Sequence, residues 1–318
     1  MARRLERFVG YAAVAVVVLS LMPLAARLGW AFDLAAHFRV QYVIVGALLA
    51  VALAVQRKLL VAALLAGCAA LSAWPVLPYF PLASKPAVAA PAGPTIKVLS
   101  ANVFYRNRSA TQLLEIIRRE SPDVVLLVEY TPPFAAQVDE LRAAYPYRLE
   151  GAGVDPYGFA LFSRYELESA KAFDLGDTSA VDARLLTPQG AVTLLGVHLR
   201  SPMTPSRAAL RNRQLDELAT RVARIKGPLV VVGDFNVTPY SPYFADWLAR
   251  TGLTDTRRGR TLSPSWPAML PIVAVPIDHC AVSRDIVIVA HRGLPAFGSD
   301  HYPILAELAL RPPSSSQN

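Results

Sequence analysis

Three long apolar runs dominate the first eighty residues. Phe8–Ala26 has 19 residues without a charge, Val40–Val55 has 16 with one Gln, and Leu59–Phe80 has 22, again uncharged. None has a polar face, so the runs do not read as surface helices of a soluble domain. About 20 apolar residues cross a ~30 Å hydrocarbon layer. The runs therefore predict about three transmembrane helices (8–26, 40–55 and 59–80), the second short unless it recruits residues from Ala35 onward. The first run also fits the outline of a secretory signal, although it is long for one and two more runs follow. Arg3, Arg4 and Arg7 precede the first run, and Arg57 and Lys58 separate the second from the third. Both sites then read as cytoplasmic, and three spans place the rest of a multi-pass cell-membrane protein on the extracytoplasmic, periplasmic side. Arg27 and Arg39, between the first two runs, weaken that asymmetry. No charge lies inside any run, so no ion path is marked.

Composition separates this segment from the rest of the chain. The chain has 318 residues, 53% hydrophobic and 18% charged, with a net charge of +8 and a mean hydropathy of +0.34. Residues 1–93 carry 8 Lys/Arg against 2 Asp/Glu, while residues 94–318 carry 24 against 22. The basic excess thus follows the apolar runs and gives no support to a nucleic-acid groove. Cys68 and Cys280 are too few for a disulfide scaffold or a cysteine zinc site. Residues 81–94 are Pro/Ala-rich and predict an extended linker. Residues 95–311 have the length of one large domain, and 312–318 predict a frayed tail.

Within 95–311 strands outnumber helices. Strands are expected at Ile96–Val103, Val124–Val128, Gly158–Ser163, Ala180–Leu186, Ala191–His198, Leu229–Val232, Ile277–Val282, Ile286–Ala290 and Tyr302–Leu310. Helices are expected from a Ser109 cap to Arg119, from Thr131-Pro132 to Ala144, over Pro205–Ile225 and near Pro242–Arg250. Several strands follow one another directly, which argues against a simple doubly wound sheet and suits two packed sheets with helices outside.

Polar residues at the strand ends are what packing does not require. They are Asn102 in Ser-Ala-Asn-Val, Glu129 in Leu-Val-Glu-Tyr, His198 in Gly-Val-His-Leu, Asp234 and Asn236 in Gly-Asp-Phe-Asn, Asp278 in Pro-Ile-Asp-His, and Asp300 and His301 in Gly-Ser-Asp-His-Tyr-Pro. Each alone is an ordinary cap, turn or structural histidine. Their order and spacing over some 200 residues resemble the endonuclease/exonuclease/phosphatase superfamily, the DNase I-like phosphoesterases. Gly-Asp-Phe-Asn and Ser-Asp-His are the specific parts. Gly158–Arg164, a strand ending in Ser-Arg, and Arg211-Asn-Arg-Gln214, a helix motif Arg-x-x-Gln, are supportive. Where the family has Gln before its acidic ligand, this chain has Val128. The resemblance implies an α/β fold, a four-layer α/β/β/α sandwich, and hydrolysis of a phosphodiester or phosphomonoester. The substrate class stays open among nucleic acid, phospholipid and small phosphate esters.

Phosphate esters resist attack because their oxygens are negative, so a catalyst must neutralise charge and place a water in line. Few, hard oxygen ligands suit Mg²⁺ or Mn²⁺. Glu129 is the expected metal ligand, with Asn102 as amide ligand or water anchor and Asp300 completing the site. Asp234 is expected to orient or deprotonate water, and Asn236 to hold the water or a phosphate oxygen. His198 and His301 are expected to donate to phosphate oxygens, with Asp278 fixing the His301 tautomer. Tyr105 and Asn107 are placed as substrate-binding residues. His37, His279 and His291 are read as non-catalytic, and Arg257-Arg-Gly-Arg260 as a solvated loop. Trp266 is either a core aromatic or a residue that stacks on a base or enters lipid. The bilayer and the phosphate-ester substrate are the expected partners, and no protein partner is marked. The competing class is a non-catalytic scaffold on the same fold, in which one or more polar strand ends are lost. All are present here.

Overall fold

The computed structural model describes residues 2–81, 94–153 and 156–311, so most of the predicted linker and the whole predicted tail lie outside the described residues. The chain begins with α1 (Ala2–Leu21), which continues through a 3-10 turn, Met22–Leu28. α2 (Trp30–Ala36), α3 (Arg39–Val55) and α4 (Leu59–Ala73) follow. α1, α3 and α4 pack through Ala13, Val16, Ala50, Leu53, Ala62 and Leu65. Their outer faces stay uncovered: Val14, Leu48 and Leu60 are 63%, 66% and 89% exposed.

The expectation of three spans is corrected here. Among the described residues, one helical stretch, Arg7–Leu28, is long and apolar enough to cross a bilayer. α2 and α3 pass that test only as a pair bent by 67°. α4 has 15 residues, about 22 Å at the helical rise, short of a ~30 Å hydrocarbon layer. It stops because Pro75 and Pro78 break the apolar run that extends in sequence to Phe80. With one candidate crossing, or two if the bent pair is one span, multi-pass topology and a periplasmic domain lose their support.

The rest of the chain is a mixed α/β unit with two six-stranded sheets. In chain order the strands are β1 (Ile96–Asn102), β2 (Val124–Val128), β3 (Tyr147–Gly151), β4 (Phe159–Ser163), β5 (Glu166–Leu175), β6 (Thr178–Thr187), β7 (Gly190–His198), β8 (Leu229–Asp234), β9 (Thr254–Asp255), β10 (Asp278–Val282), β11 (Ile286–Gly293) and β12 (Ile304–Leu310). One sheet runs β11-β12-β1-β2-β4-β3 and the other β5-β6-β7-β8-β10-β9. The side-chain period of two sends alternate residues to opposite faces. Val98, Val124 and Leu126 meet Val181, Leu194 and Val232 between the sheets. Leu99, Val125 and Leu127 pack outward on α5 (Thr111–Glu120) and on α6 (Pro132–Ala135) and α7 (Asp139–Ala144). Leu195, Val197 and Val231 pack outward on α8 (Pro205–Val222) and α9 (Pro242–Thr251). Four layers result, α/β/β/α.

Local chemistry moves some predicted boundaries. Ser109 does not cap α5: its N–H donates to Asn107 Oδ1 at 3.0 Å, and the helix starts after Ala110. The Thr131–Ala144 helix breaks into α6 and α7 around Gln137 and Val138. Gln137 turns back to accept from Ala110 N and to donate to the Arg108 and Pro133 carbonyls. The Arg257–Arg260 loop is solvated only in part: Arg258 and Gly259 are exposed. Arg257 is fully buried and donates to the equally buried Asp255 at 2.7 Å.

Candidate active site

Strand register, rather than loop shape, assembles the site. β8 lies between β7, parallel to it, and β10, antiparallel to it. The pairings His198↔Asp234 and Asp278↔Asp234 set three polar residues on one rung at the end of that sheet. Gly233 makes the rung possible: its φ is +139°, and a Cβ there would lie 2.0 Å from the Val197 carbonyl oxygen. In the other sheet β1 and β2 are parallel, and Asn102↔Val128 pairing brings Asn102 level with the strand that ends in Glu129. The two sheets meet face to face, so both sets open at one end of the sandwich.

The hydrogen bonds join the sheets. Asn102 Nδ2 donates to Glu129 Oε1 at 2.9 Å and to Asp234 Oδ2 at 3.1 Å. Asn102 Oδ1 accepts from Phe104 N, so the amide oxygen turns away from the carboxylates and the amide nitrogen bridges them. Tyr105 N donates to Glu129 Oε2 at 2.8 Å. His198 Nε2 lies 3.8 Å from Glu129 Oε1 and 3.6 Å from Asp234 Oδ2, while its Nδ1 is 3.1 Å from the Pro156 carbonyl. His301 Nδ1 is 2.8 Å from Asp278 Oδ2, and its Nε2 is 3.8 Å from Asp234 Oδ2. Asp234 Oδ1 accepts from Asn236 N at 2.8 Å, and Asn236 Nδ2 donates to the Leu199 carbonyl. Asp300 Oδ2 accepts from Trp266 Nε1 at 3.2 Å.

Backbone strain collects at the same place. Phe104, Glu129 and Asn236 have φ of 62°, 58° and 51°. Left-handed backbone costs an L-residue roughly 1–2 kcal/mol, and such strain tends to persist where surrounding bonds over-determine it. Here the Tyr105 and Asn102 donors pin the Glu129 carboxylate.

Burial sets the protonation states. Desolvation, reinforced by the nearby Asp278 charge, pushes the Asp234 carboxyl up to about 8. Desolvation opposes a charged His301 ring, yet the Asp278 carboxylate and its hydrogen bond outweigh it and raise that ring to about 10. Burial, with the neighbouring His301 charge, lowers His198 to about 4. Burial also raises Asp300 above the usual carboxylate range. These shifts favour an imidazolium at His301, a neutral His198 and the protonated form of Asp234. The Nδ1–H of neutral His198 donates to Pro156 O, which leaves its Nε2 lone pair facing the two carboxyl groups.

The cleft has a volume of about 720 Å³, and Tyr105, Glu129, His198, Asp234, Asn236, Asp300 and His301 all line it. Asn102 and Asp278 stand directly behind, fully buried. Asn107 is not among the lining residues. Its Oδ1 closes a turn onto Ser109 N, beside Gly298. Part of the lining was not expected from sequence: Leu34, His37 and Phe38 come from the N-terminal segment. Nothing local in the sequence signals that this segment folds back onto the domain.

Two groups of side chains can take a cation. Asp234, Asp278 and His301 offer ligand atoms within 4.8 Å of one another. In that cluster the Asp278–His301 contact is already a 2.8 Å hydrogen bond. Glu129 and Asp300 offer carboxylate oxygens on the cleft wall, and Asp300 Oδ1 is buried without a hydrogen-bond partner.

This architecture is that of a known enzyme family. The family model for the Endonuclease/Exonuclease/phosphatase family matches residues 99–301, and the chain belongs to that family. Its members are phosphoester hydrolases and generally depend on divalent metals. No curated protein matches the sequence. Solved structures share the fold. An endonuclease/exonuclease/phosphatase from Beutenbergia cavernae is 21% identical, with a TM-score of 0.55 over 68% of this chain and 72% of that one. TDP2 from D. rerio, complexed with a single-strand DNA product, is 16% identical, with a TM-score of 0.57 over 68% and 100%. An endonuclease/exonuclease/phosphatase from Bacteroides vulgatus is 18% identical, with a TM-score of 0.56 over 69% and 100%.

Proposed function

We propose that the chain is a membrane-associated, divalent-metal-dependent phosphoesterase in which water attacks phosphorus in line with the leaving oxygen. The observation that carries this reading is the convergence of Asn102, Glu129, His198, Asp234 and His301 from both sheets on one cleft, each within 3.8 Å of a neighbour in the set. Glu129 and Asp300 would hold the ion. Their hard oxygen donors suit Mg²⁺ or Mn²⁺, and the unpartnered buried Asp300 Oδ1 is what a bound cation would satisfy. Such an ion supplies positive charge to the phosphate oxygens.

The chain's own groups do the remaining work. Asn102 holds the Glu129 and Asp234 carboxyls at a fixed separation and acts as a bridge rather than as an oxygen ligand. Asp234 Oδ2 faces both imidazoles and orients the attacking water, taking its proton once the carboxyl is ionised. Cationic His301, held by Asp278, donates from Nε2 to a phosphate oxygen. Neutral His198 accepts through Nε2, so it orders the water or the Asp234 proton instead of donating to phosphate. Asn236 fixes Asp234 through its backbone N–H. Tyr105 lines the entrance.

The test uses the full-length chain in detergent with a generic aryl phosphodiester. Hydrolysis is expected with Mg²⁺ or Mn²⁺ and stops with EDTA. Turnover unaffected by EDTA removes the metal from the reading. Absence of hydrolysis with any divalent ion removes the catalytic reading altogether.

A further inference from the structure

The cleft lining mixes two chemistries. Beside the carboxyl and imidazole groups stand apolar side chains, to which the N-terminal segment contributes: Leu34 and Phe38 line the cleft with Met203, Trp266, Val275 and Ile277 from the domain. This closure is a built contact. Asp33, next to Leu34, is buried and accepts from Arg211 Nη2 at 2.6 Å and from Ser241 Oγ at 2.6 Å. Arg211 is itself fully buried and donates to the carbonyl of Asn236, two residues after Asp234. Trp30 Nε1 donates to the Pro202 carbonyl at 2.6 Å, and Gln41 Nε2 to the Ala274 carbonyl at 3.1 Å. Four polar links thus fix the segment to α8, to the N-cap of α9 and to the loops at Pro202 and Ala274.

Further apolar groups lie exposed in a loop flanked by two of these residues. Met269 and Ile272, in the loop between Trp266 and Val275, are 78% and 82% exposed. On the other side, α2 follows directly from Arg7–Leu28, the stretch long enough to cross a bilayer. A bilayer holding that stretch lies near the mouth of the cleft. Charge gives no rival substrate an advantage. Of the two arginines that line the cleft among the described residues, Arg200 is paired with Asp177, which leaves Arg207. A polynucleotide needs a row of cations along its backbone.

We propose that the substrate is a phosphoester carried on a hydrocarbon chain, a membrane lipid, with its phosphate among the polar groups and its chain against the wall that Leu34 and Phe38 supply. This rests on the phosphoesterase reading above and adds the substrate class. In the reaction water adds to phosphorus and the P–O bond to the leaving group breaks. The leaving oxygen departs with the bond electrons, and the proton that Asp234 takes from water passes on to solvent or to the departing oxygen.

The test uses full-length protein in nanodiscs and a series of alkyl 4-nitrophenyl phosphate diesters with methyl, butyl and octyl chains, read by release of 4-nitrophenolate. For wild type, kcat/KM is expected to rise about fourfold per methylene over the first few, the factor that about 0.8 kcal/mol per buried CH₂ gives. In Leu34→Ala/Phe38→Ala the octyl-to-methyl ratio of kcat/KM is expected to fall at least tenfold. Phosphatidylglycerol in the nanodisc is expected to be hydrolysed faster than single-stranded DNA at equal phosphate. Hydrolysis of the methyl ester with no dependence on chain length overturns the lipid proposal and leaves the phosphoesterase reading standing, without recourse to any variant. An unchanged octyl-to-methyl ratio in the double variant, or DNA as the faster substrate, also overturns it. No hydrolysis of any ester with Mg²⁺ or Mn²⁺ overturns the underlying reading as well.

Discussion

The N-terminal helices and the sandwich solve burial in opposite ways. The sandwich hides its apolar side chains on three interfaces and places its charges at the ends of strands and in a few buried pairs. The helices leave Val14, Leu48 and Leu60 uncovered. They bury one carboxylate, Asp33, against an arginine of the other region. A water-facing surface rarely carries so many exposed apolar groups, which agrees with the membrane association proposed above. The Asp33–Arg211 pair and the cleft wall are where the two regions become one functional unit.

The largest expected effect tests whether chemistry resides only in the sandwich. Asp234→Ala and His301→Ala are each expected to lower kcat/KM by about 10²-fold or more, by analogy with losses of proton-handling and charge-stabilising groups. Steady-state kinetics with far-UV circular dichroism checks this; wild-type-like turnover rejects the assigned roles.

Buried pairs come next. Arg257→Met leaves Asp255 in the interior with the backbone N–H of residue 257 at 3.0 Å and His279 at 3.3 Å, and is expected to cost about 3–5 kcal/mol in a denaturant titration. A loss under about 1 kcal/mol means that these two groups and water carry the charge unaided. Asp33→Asn keeps the shape but weakens a charge-assisted bond, with an expected loss of about 1–3 kcal/mol. The melting of the sandwich reports on it: an unchanged transition means that the two regions are energetically independent.

The pH dependence of stability is expected to be smaller and graded. The folded value of His301, about 10, is raised above the ordinary 6.5. Its contribution is therefore complete below about pH 6.5 and is lost as pH rises toward 10. Asp234, also raised, acts in the same direction between its ordinary 3.8 and about 8. In EDTA, thermal stability is expected to decline from pH 7 to 10, and His301→Gln to flatten that decline. A rise over the same interval contradicts the charge assignment. Smallest of all, Ile272→Ser changes stability by no more than about 0.5 kcal/mol, since exposed positions without partners rarely matter to folding. A larger loss in calorimetry means that the loop is covered in the native protein.

The central strands and the polar residues that end them are legible in the sequence because both follow local rules. Val124–Val128 is apolar on both faces, and its predicted and observed bounds coincide. Asn102, Glu129, His198, Asp234 and His301 each lie at a strand end or in the loop beside one, and their convergence follows from register. Among the edge strands β11 is legible in the sequence and the others are not. β3 and β5 each pair with one neighbour of their own sheet and bury little, and Glu-Leu-Glu-Ser-Ala-Lys-Ala has the composition of a solvated helix. Arg257 looks like part of a basic loop because nothing local reports that it is buried with Asp255, two residues before it, against His279 of β10. Asp33 looks like a charge between two apolar runs. Its partner is 178 residues away, and no periodicity reports a contact of that separation.

The shared rung of His198, Asp234 and Asp278 has a consequence for how the protein can change. Three functional groups are indexed to the ladder of one sheet, so inserting or deleting a single residue within β7, β8 or β10 would point one of them into the opposite layer. The loops beyond those strands carry no such constraint. New specificities can therefore arise by lengthening or recolouring the connections, while an indel inside the ladder is expected to displace one of the proposed site residues.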